Sequence, residues 1–384
     1  MSASSEHPQK LRVLHLFSNC KWTGPAEPAL NLCVALRARG VEADFACAPD
    51  AGSSINKVVE TARDRGIEPI LRFFLSKHRH PLKNFLDQRS LSALLRDTGY
   101  DLVHCHLDND HAIAAKVARR AGIPLVRSNY HGEGLPETKR MQQLLADTAF
   151  IIQPSQQALD HDARHFAFAK ERMALSPGAV DTERFDPRRE TPCGRRWLHI
   201  PMDAPVFGIV ARMQTHRHYE DLFAAFKRLT ETTPDAHLIV VGRGSKQDKV
   251  GFRPVAELGL EDRVHFTGFI DGENYVGMLR AFDVGVFLVP GSDGTCRAAR
   301  EILAMGKPMV VADRGMLREI VRDGETGCVC SGSADSLYEA FRQLAQNRNR
   351  RREMGAAARR LAETEYSLET QSACVETVYR KILS

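Results

Sequence analysis

The stretch Asp283–Asp313, DVGVFLVPGSDGTCRAAREILAMGKPMVVAD, decides the fold. It opens on an apolar run, DVGVFLV (283–289), and closes on a second, KPMVVAD (307–313). Between them lie a glycine-bearing loop and a short helical pattern that stops at Gly306. Apolar runs flanking a helical pattern read as parallel strands joined by a crossover helix. The loop carries Asp293 and the helix carries Glu301, with basic residues between them. Thr295 or Ser292 is placed to cap the helix, whose free amides favour an anion such as phosphate. Glu301 lies about two turns into the helix. A carboxylate accepts two hydrogen bonds at once and suits a vicinal diol such as a ribose. A capped, solvated helix with incidental charges accounts for the spacing equally well.

The same alternation runs outward in both directions. Upstream lie the strand patterns VFGIVARM (206–213), HLIVVGRG (237–244) and RVHFTGF (263–269), with the helix DLFAAFKRLTET (221–232) among them. The first half repeats the pattern. Its strands are RVLHLF (12–17), EADFACA (42–48), DLVHCHL (101–107), IPLVRSNYH (123–131) and FIIQPS (150–155), with helices at 28–40 and 111–122. At 384 residues the chain is long for one core. The reading is α/β, with two Rossmann-like, doubly wound domains facing across a cleft. The turn-rich segment 176–194 leads into a boundary near 186–200, whose Pro- and Arg-rich character suits an exposed linker. The expected division is 1–190, 191–365, and a C-terminal amphipathic helix at 366–384 that packs back on the first domain. Ligands of such sheets bind outside the carboxyl ends of the strands, so the search narrows to residues just after them.

Composition excludes several classes. Charged residues make 26% and the net charge is +5, with no basic stripe interleaved with aromatics, so nucleic acid is not an expected partner. Nine scattered cysteines without a CxxC fit reduced thiols of a cytoplasmic protein. No apolar run approaches the roughly 20 residues of a membrane span, and the start MSASSEHPQK is no signal peptide. The segment 71–85, LRFFLSKHRHPLKNF, is basic and carries three phenylalanines. It reads either as a core helix with a solvated side or as a face for weak peripheral contact with anionic membrane.

A second constellation follows the strand VFGIV. Arg212 and Arg217 stand five residues apart in ARMQTHRH (211–218), at a strand-to-helix turn. Guanidinium forks suit phosphate oxygens, so the pair reads as a diphosphate clamp or as two surface arginines.

The order of motifs from 206 to 327 resembles that of the retaining family 4 glycosyltransferases of the GT-B fold. Ala211-Arg212-Met213 with Arg217-His218 comes first, then Val241-Gly242-Arg243-Gly244 and Phe266-Thr267-Gly268-Phe269. The acid-x7-acid motif Asp293–Glu301 follows, then Ala304-Met305-Gly306-Lys307-Pro308 and Glu319-Ile320-Val321. In the first half Gly24-Pro25-Ala26-Glu27, the strand ending at His131, and Ser176–Asp181 with Phe185 agree more weakly. The resemblance implies a nucleotide-diphosphate sugar donor, a UDP- or GDP-sugar, held mostly by the C-terminal domain. It implies a glycan or lipid-linked acceptor on the N-terminal domain, in surface polysaccharide or glycolipid assembly, and transfer with retention and without a metal or other cofactor. By that resemblance Arg212 and Arg217 neutralise the diphosphate, Glu301 holds the ribose, Asp293 holds the donor sugar and His131 lies beside it. Phe269 and Ile270 meet the base, and Gly24, Gly242, Gly294, Thr295 and Cys296 line the donor.

The sequence departs from that pattern in places. The first acid is usually Glu and is Asp293 here; Arg217 replaces a lysine and His218 the glycine after it; Gly24-Pro25 replaces a glycine pair and removes one amide donor. These departures keep two other readings in view, a non-catalytic nucleotide-sugar-binding protein and a GT-B-shaped sugar-nucleotide epimerase. Asp108-Asn109-Asp110 spells D-x-D but is expected to cap a helix. His104 and His106 share one face of their strand, with no third ligand identifiable, and are expected to line a core or cleft.

Overall fold

The computed structural model of the chain describes residues 10–49, 56–291 and 296–384. It divides into two compact units, the residues up to Gly178 together with Leu368–Ser384, and Ala179–Ser367.

The first unit holds a six-stranded parallel sheet in the order β2-β1-β3-β4-β5-β6. The strands are β1 Arg12–Phe17, β2 Glu42–Cys47, β3 Leu102–Cys105, β4 Leu125–Ser128, β5 Phe150–Gln153 and β6 Met173–Leu175. Alternation along β1 sends Val13 and Phe17 to one face and Leu14 and Leu16 to the other. The first face packs on the helices Ala26–Ala38 and Leu368–Leu383 through Leu30, Val375 and Tyr379. The second packs on Pro81–Thr98 and Asp108–Ala121 through Leu91, Leu94 and Ile113. A sheet covered on both faces explains why its strands read as nearly continuous apolar runs.

The second unit repeats the plan in the order β12-β11-β10-β7-β8-β9. Here the strands are β7 Val206–Val210, β8 His237–Val241, β9 Val264–Gly268, β10 Val284–Phe287, β11 Met309–Ala312 and β12 Gly327–Cys330. Phe207, Ile209, Leu238, Val240, Val284 and Val286 fill one side of the sheet; Val206, Ile239, Phe287, Met309 and Val311 fill the other.

In both sheets the chain starts in the middle, winds outward, and crosses back. The order therefore reverses between β1 and β3 in the first unit and between β7 and β10 in the second. At such a reversal the loops leaving the two central strands diverge and open a crevice at their carboxyl ends.

Two expectations change. The segment read as a linker belongs to the second unit. Val180 and Phe185 are buried in its core, and Val180 N donates to Tyr366 O at 2.7 Å. Arg195, in the short helix Gly194–Trp197, is buried and donates to the carbonyls of Ala281, Pro201, Met202 and Ala204 and to the Asp283 carboxylate. Arginine-rich composition suggested exposure, but carbonyls and one carboxylate satisfy this guanidinium inside. The strands β6 and β12 were not legible either, being short edge strands without an apolar run.

Candidate active site

The reversal in the second sheet gathers the residues that matter. β7 and β10 are in register, with Phe207 beside Val284 and Ile209 beside Val286, so their exit loops start side by side. Arg217 ends the turn Thr215–Arg217 after β7 and is 6% exposed. Its Nη1 donates to Val289 O at 2.8 Å and to Pro290 O at 3.0 Å, lashing the β7 exit to the β10 exit. Its Nε is buried with no hydrogen-bond partner, and no carboxylate among the described residues pairs with it. A buried cation is costly unless a counter-charge answers it, and among the described residues none does. Arg212 leaves β7 directly, is exposed, and makes no hydrogen bond or ion pair among the described residues.

Glu301 lies on the helix Arg297–Ala304 that follows β10, and it is buried. Its carboxylate accepts from the Tyr275 hydroxyl at 2.5 Å and pairs with Arg297 Nε at 3.1 Å. Burial, and then the Glu301 charge, hold the Tyr275 hydroxyl well above its usual pKa, so it stays a donor. Sequence reading missed Tyr275, since nothing around it signals a partner twenty-six residues downstream. Arg297 was within reach, because a residue four before a helical glutamate shares its face.

Other sequence-selected residues take more structural roles. Gly242 has φ +135°, and a Cβ there would lie 2.3 Å from Ala211 O. A Cβ on Gly244 would lie 2.1 Å from Met213 O. These glycines let the β8 exit pass against the backbone that carries Arg212. Cys296 packs its side chain into the core at 2% exposure, so only its backbone is left to meet a ligand. Phe269 is exposed at 66%, with the Arg243 guanidinium 5.6 Å from its ring centre, whereas Ile270 packs on the core. Asp293, Gly294 and Thr295 lie outside the described residues. His218 has φ +56° and precedes the helix Tyr219–Thr232 in the left-handed region, which explains why glycine is the natural residue there. Its Nδ1 lies 3.2 Å from Asp221 Oδ2.

The reversal in the first sheet is furnished differently. His15 sits opposite His104 in the β1–β3 register, and His106 follows two residues on, so all three rings share one face. This is the third histidine that spacing did not reveal. His15 Nδ1 lies 3.0 Å from His106 Nε2, His104 Nε2 2.8 Å from Ser128 Oγ, and His106 Nδ1 2.7 Å from the Tyr130 hydroxyl. His104 Nδ1 also meets the Tyr379 hydroxyl. Burial, the main cause, lowers the pKa of His15 to about 3 and that of His104 and His106 well below the ordinary imidazole value. The rings are therefore neutral.

Asp110 accepts from the amides of Ser18, His106 and Leu107 at 2.8, 3.1 and 2.9 Å, closing the start of the helix Asp108–Ala121. Asp108 pairs with Arg127 at 2.8 Å. The D-x-D sequence thus spends its carboxylates on a helix start and an arginine. Gly24 lies in the turn before the helix Ala26–Ala38. His131 follows β4 with an open edge to solvent, and Asn129 holds its backbone from both sides, at 2.9 Å to N and 3.1 Å to O. Desolvation lowers the His131 pKa although Asp108 and Asp162 pull upward.

Two family models match the chain. Residues 195–361 match "Glycosyl transferases group 1" and residues 23–184 match "Glycosyltransferase Family 4". The chain belongs to the family 4 glycosyltransferases, of GT-B fold. A D-inositol 3-phosphate glycosyltransferase of Corynebacterium aurimucosum is 29% identical over 75% of this chain and 73% of its own length. A glycosyltransferase from Rickettsia africae ESF-5 superposes with a TM-score of 0.81 at 16% identity, covering 98% of this chain and 99% of its own. Anabaena Alr3699/HepE in complex with UDP gives 0.78 at 18% identity, over 97% and 100%. This glycosyltransferase therefore keeps the family's two-unit plan, with Arg217 and Glu301 braced by their own neighbours.

Proposed function

We propose that the chain transfers a sugar, with retention, from a nucleotide-diphosphate donor to a glycan or lipid-linked acceptor, and that no metal bridges the diphosphate. The observation that carries this reading is the pair of arginines at the β7–β10 reversal. One is buried with an unpartnered Nε, and the other is exposed and unpaired among the described residues. As the leaving diphosphate gains charge, fixed cations stabilise the transition state more than the ground state. Glu301 takes the ribose hydroxyls in this reading, which its existing contacts with Tyr275 and Arg297 support by orienting the carboxylate. Asp293 takes the donor sugar and His131 lies beside it. The UDP of the Anabaena structure and the inositol phosphate in the name of the corynebacterial relative make UDP-sugars and phosphorylated polyols the first donors and acceptors to try.

Membrane-borne acceptors fit a second observation. Phe74, Leu82, Phe85 and Leu86 are exposed, while Phe73 is buried. Lys83 lies over the Phe74 ring at 5.4 Å and Arg89 over Phe85 at 5.8 Å. This apolar and basic face at the start of the helix Pro81–Thr98 suits weak docking on anionic lipid, at the cytoplasmic side of a membrane. No helix among the described residues is long and apolar enough to cross one.

The test is incubation with a panel of UDP- and GDP-sugars, with and without acceptor, with and without added Mg2+. The reading predicts a glycosylated acceptor of retained anomeric configuration by NMR, at a rate indifferent to Mg2+. Conversion of the donor without acceptor indicates an epimerase, and binding without turnover indicates a sugar-nucleotide carrier; either overturns it.

A further inference from the structure

The helix Gln156–His165 places His161 and His165 four residues apart, on one face, with ring centres 4.4 Å apart. Neither residue belongs to the candidate active site. Glu137, from the segment ahead of the helix Lys139–Ala146, reaches both. Its Oε1 lies 3.0 Å from His161 Nε2 and 3.2 Å from His165 Nε2. The three donor atoms lie within 4.8 Å of one another.

A tetrahedral zinc ion, bound at about 2.0–2.1 Å by imidazole nitrogen and carboxylate oxygen, needs donors about 3.4 Å apart. The two nitrogen–oxygen separations fall just inside that figure. His161 has a further feature of a metal ligand. Its other nitrogen, Nδ1, lies 2.9 Å from Asp162 Oδ1. Asp162 is fully buried and fixed in turn by Leu135 N at 2.8 Å and Gln153 Nε2 at 2.7 Å. A carboxylate on Nδ1 fixes the tautomer that leaves Nε2 free to ligate and raises its basicity. The fold also makes room for the ring. Gly134 has φ +112°, and a Cβ there would fall 2.2 Å from His161 Nδ1.

We propose that Glu137, His161 and His165 form a zinc-type site of the N-terminal unit, with water in the open fourth position. The donor set, two imidazoles and one carboxylate, selects borderline divalent ions such as Zn2+ over Mg2+ or Ca2+. Glu137 and His165 are half-exposed, so an ion enters without unfolding. The ion joins the segment 131–138 to the helix Gln156–His165. That segment begins at His131, whose carbonyl accepts from Gly134 N at 3.2 Å. The site is a clip on the loop that carries His131, and no step of sugar transfer passes through it. It stands whether or not the donor assignment does.

The test is a calorimetric titration of chelator-stripped full-length protein with Zn2+, paired with hydrogen exchange. Wild type is expected to take up one tight equivalent and to slow exchange in 131–138. Glu137→Gln and His165→Ala, both at accessible positions, should each weaken that event at least tenfold and abolish the protection, with far-UV circular dichroism unchanged. Asp162→Asn should weaken it roughly 10- to 100-fold. His218→Ala should leave it intact; it alters the other exposed group of possible ligands among the described residues, His218 with Glu220 and Asp221. No saturable Zn2+ binding, or binding that survives Glu137→Gln and His165→Ala, overturns the proposal. So does binding that disappears in His218→Ala.

Discussion

The two sheets share one winding, yet their central reversals are furnished in opposite ways. Between β1 and β3 the protein fills the space with its own polar groups. Three neutral histidines, Ser128, Tyr130 and Tyr379 bond to one another, leaving His15 Nε2 without a partner, and Asp110 closes the loops. Between β7 and β10 charge is left unanswered among the described residues, by a buried arginine whose Nε has no partner and an exposed one without an ion pair. A winding fixes where a crevice opens; the side chains at the strand ends decide whether it is sealed or left for a ligand. The first reversal has become a polar core of neutral groups, and the second holds two arginines with no counter-charge among the described residues.

The largest expected effect separates the two arginines. Arg212→Ala should lower kcat/KM for transfer about 10²- to 10³-fold with an unchanged melting temperature, since an oriented charge at a developing anion is worth that much and the side chain makes no hydrogen bond or ion pair among the described residues. Arg217→Ala should lose as much activity and also melt earlier, because the Val289 and Pro290 carbonyls lose their donor, at about 1–3 kcal/mol if left buried. Steady-state kinetics beside thermal melts check both. Equal melting behaviour in the two variants would erase the distinction drawn between brace and contact.

Acidification should strike the first unit harder. His15, His104, His106 and His111 all have lowered folded pKa values, so the unfolded chain binds more protons below about 6.5 and stability falls as pH drops through that value. Asp110 works the other way. Its pKa is raised to about 7, chiefly by burial, so its own contribution weakens as pH rises from about 4 to 7. His131 is lowered as well, while Asp87 and His161 are raised and act as Asp110 does; the five lowered histidines outweigh these three groups, each group contributing up to about 1.4 kcal/mol per pH unit inside its window. Among the described histidines of the second unit, His237, at about 4, and His265 are lowered. Hydrogen exchange at pH 7 and pH 5.5 should show β1 and β3 losing protection before β7 and β10; the reverse order would refute the assignment.

Smaller effects test individual contacts. Tyr275→Phe removes one donor from Glu301 and should raise the donor KM several-fold, as loss of a hydrogen bond to a charged group is worth about 1.5–3 kcal/mol when nothing replaces it and less when water does. His218→Gly relieves a left-handed residue and should stabilise the second unit by about 1 kcal/mol, read as a slightly higher melting temperature.

Much of the fold was legible because buried parallel strands need continuous apolar runs, and RVLHLF, HLIVV and VGVF supply them. The edge strands β6 and β12 carry no such run and left no mark. Arg212, Arg217 and Glu301 were legible as members of an ordered set of motifs. Their environment was not, because the donors to Glu301 and the carbonyls on Arg217 come from other turns of the fold. Residues 186–200 were misread for a physical reason: Arg195 is satisfied by carbonyls and Asp283, which composition does not show. His15 escaped notice because its partners, His104 on β3 and His106 just after it, lie about ninety residues away.

The most direct test is a crystal structure of the full chain with a nucleoside diphosphate. The account predicts diphosphate oxygens within hydrogen-bonding distance of Arg212 and Arg217 and ribose hydroxyls on Glu301, at the carboxyl ends of β7 and β10. A nucleotide bound elsewhere, with Arg212 still turned to solvent, would contradict it.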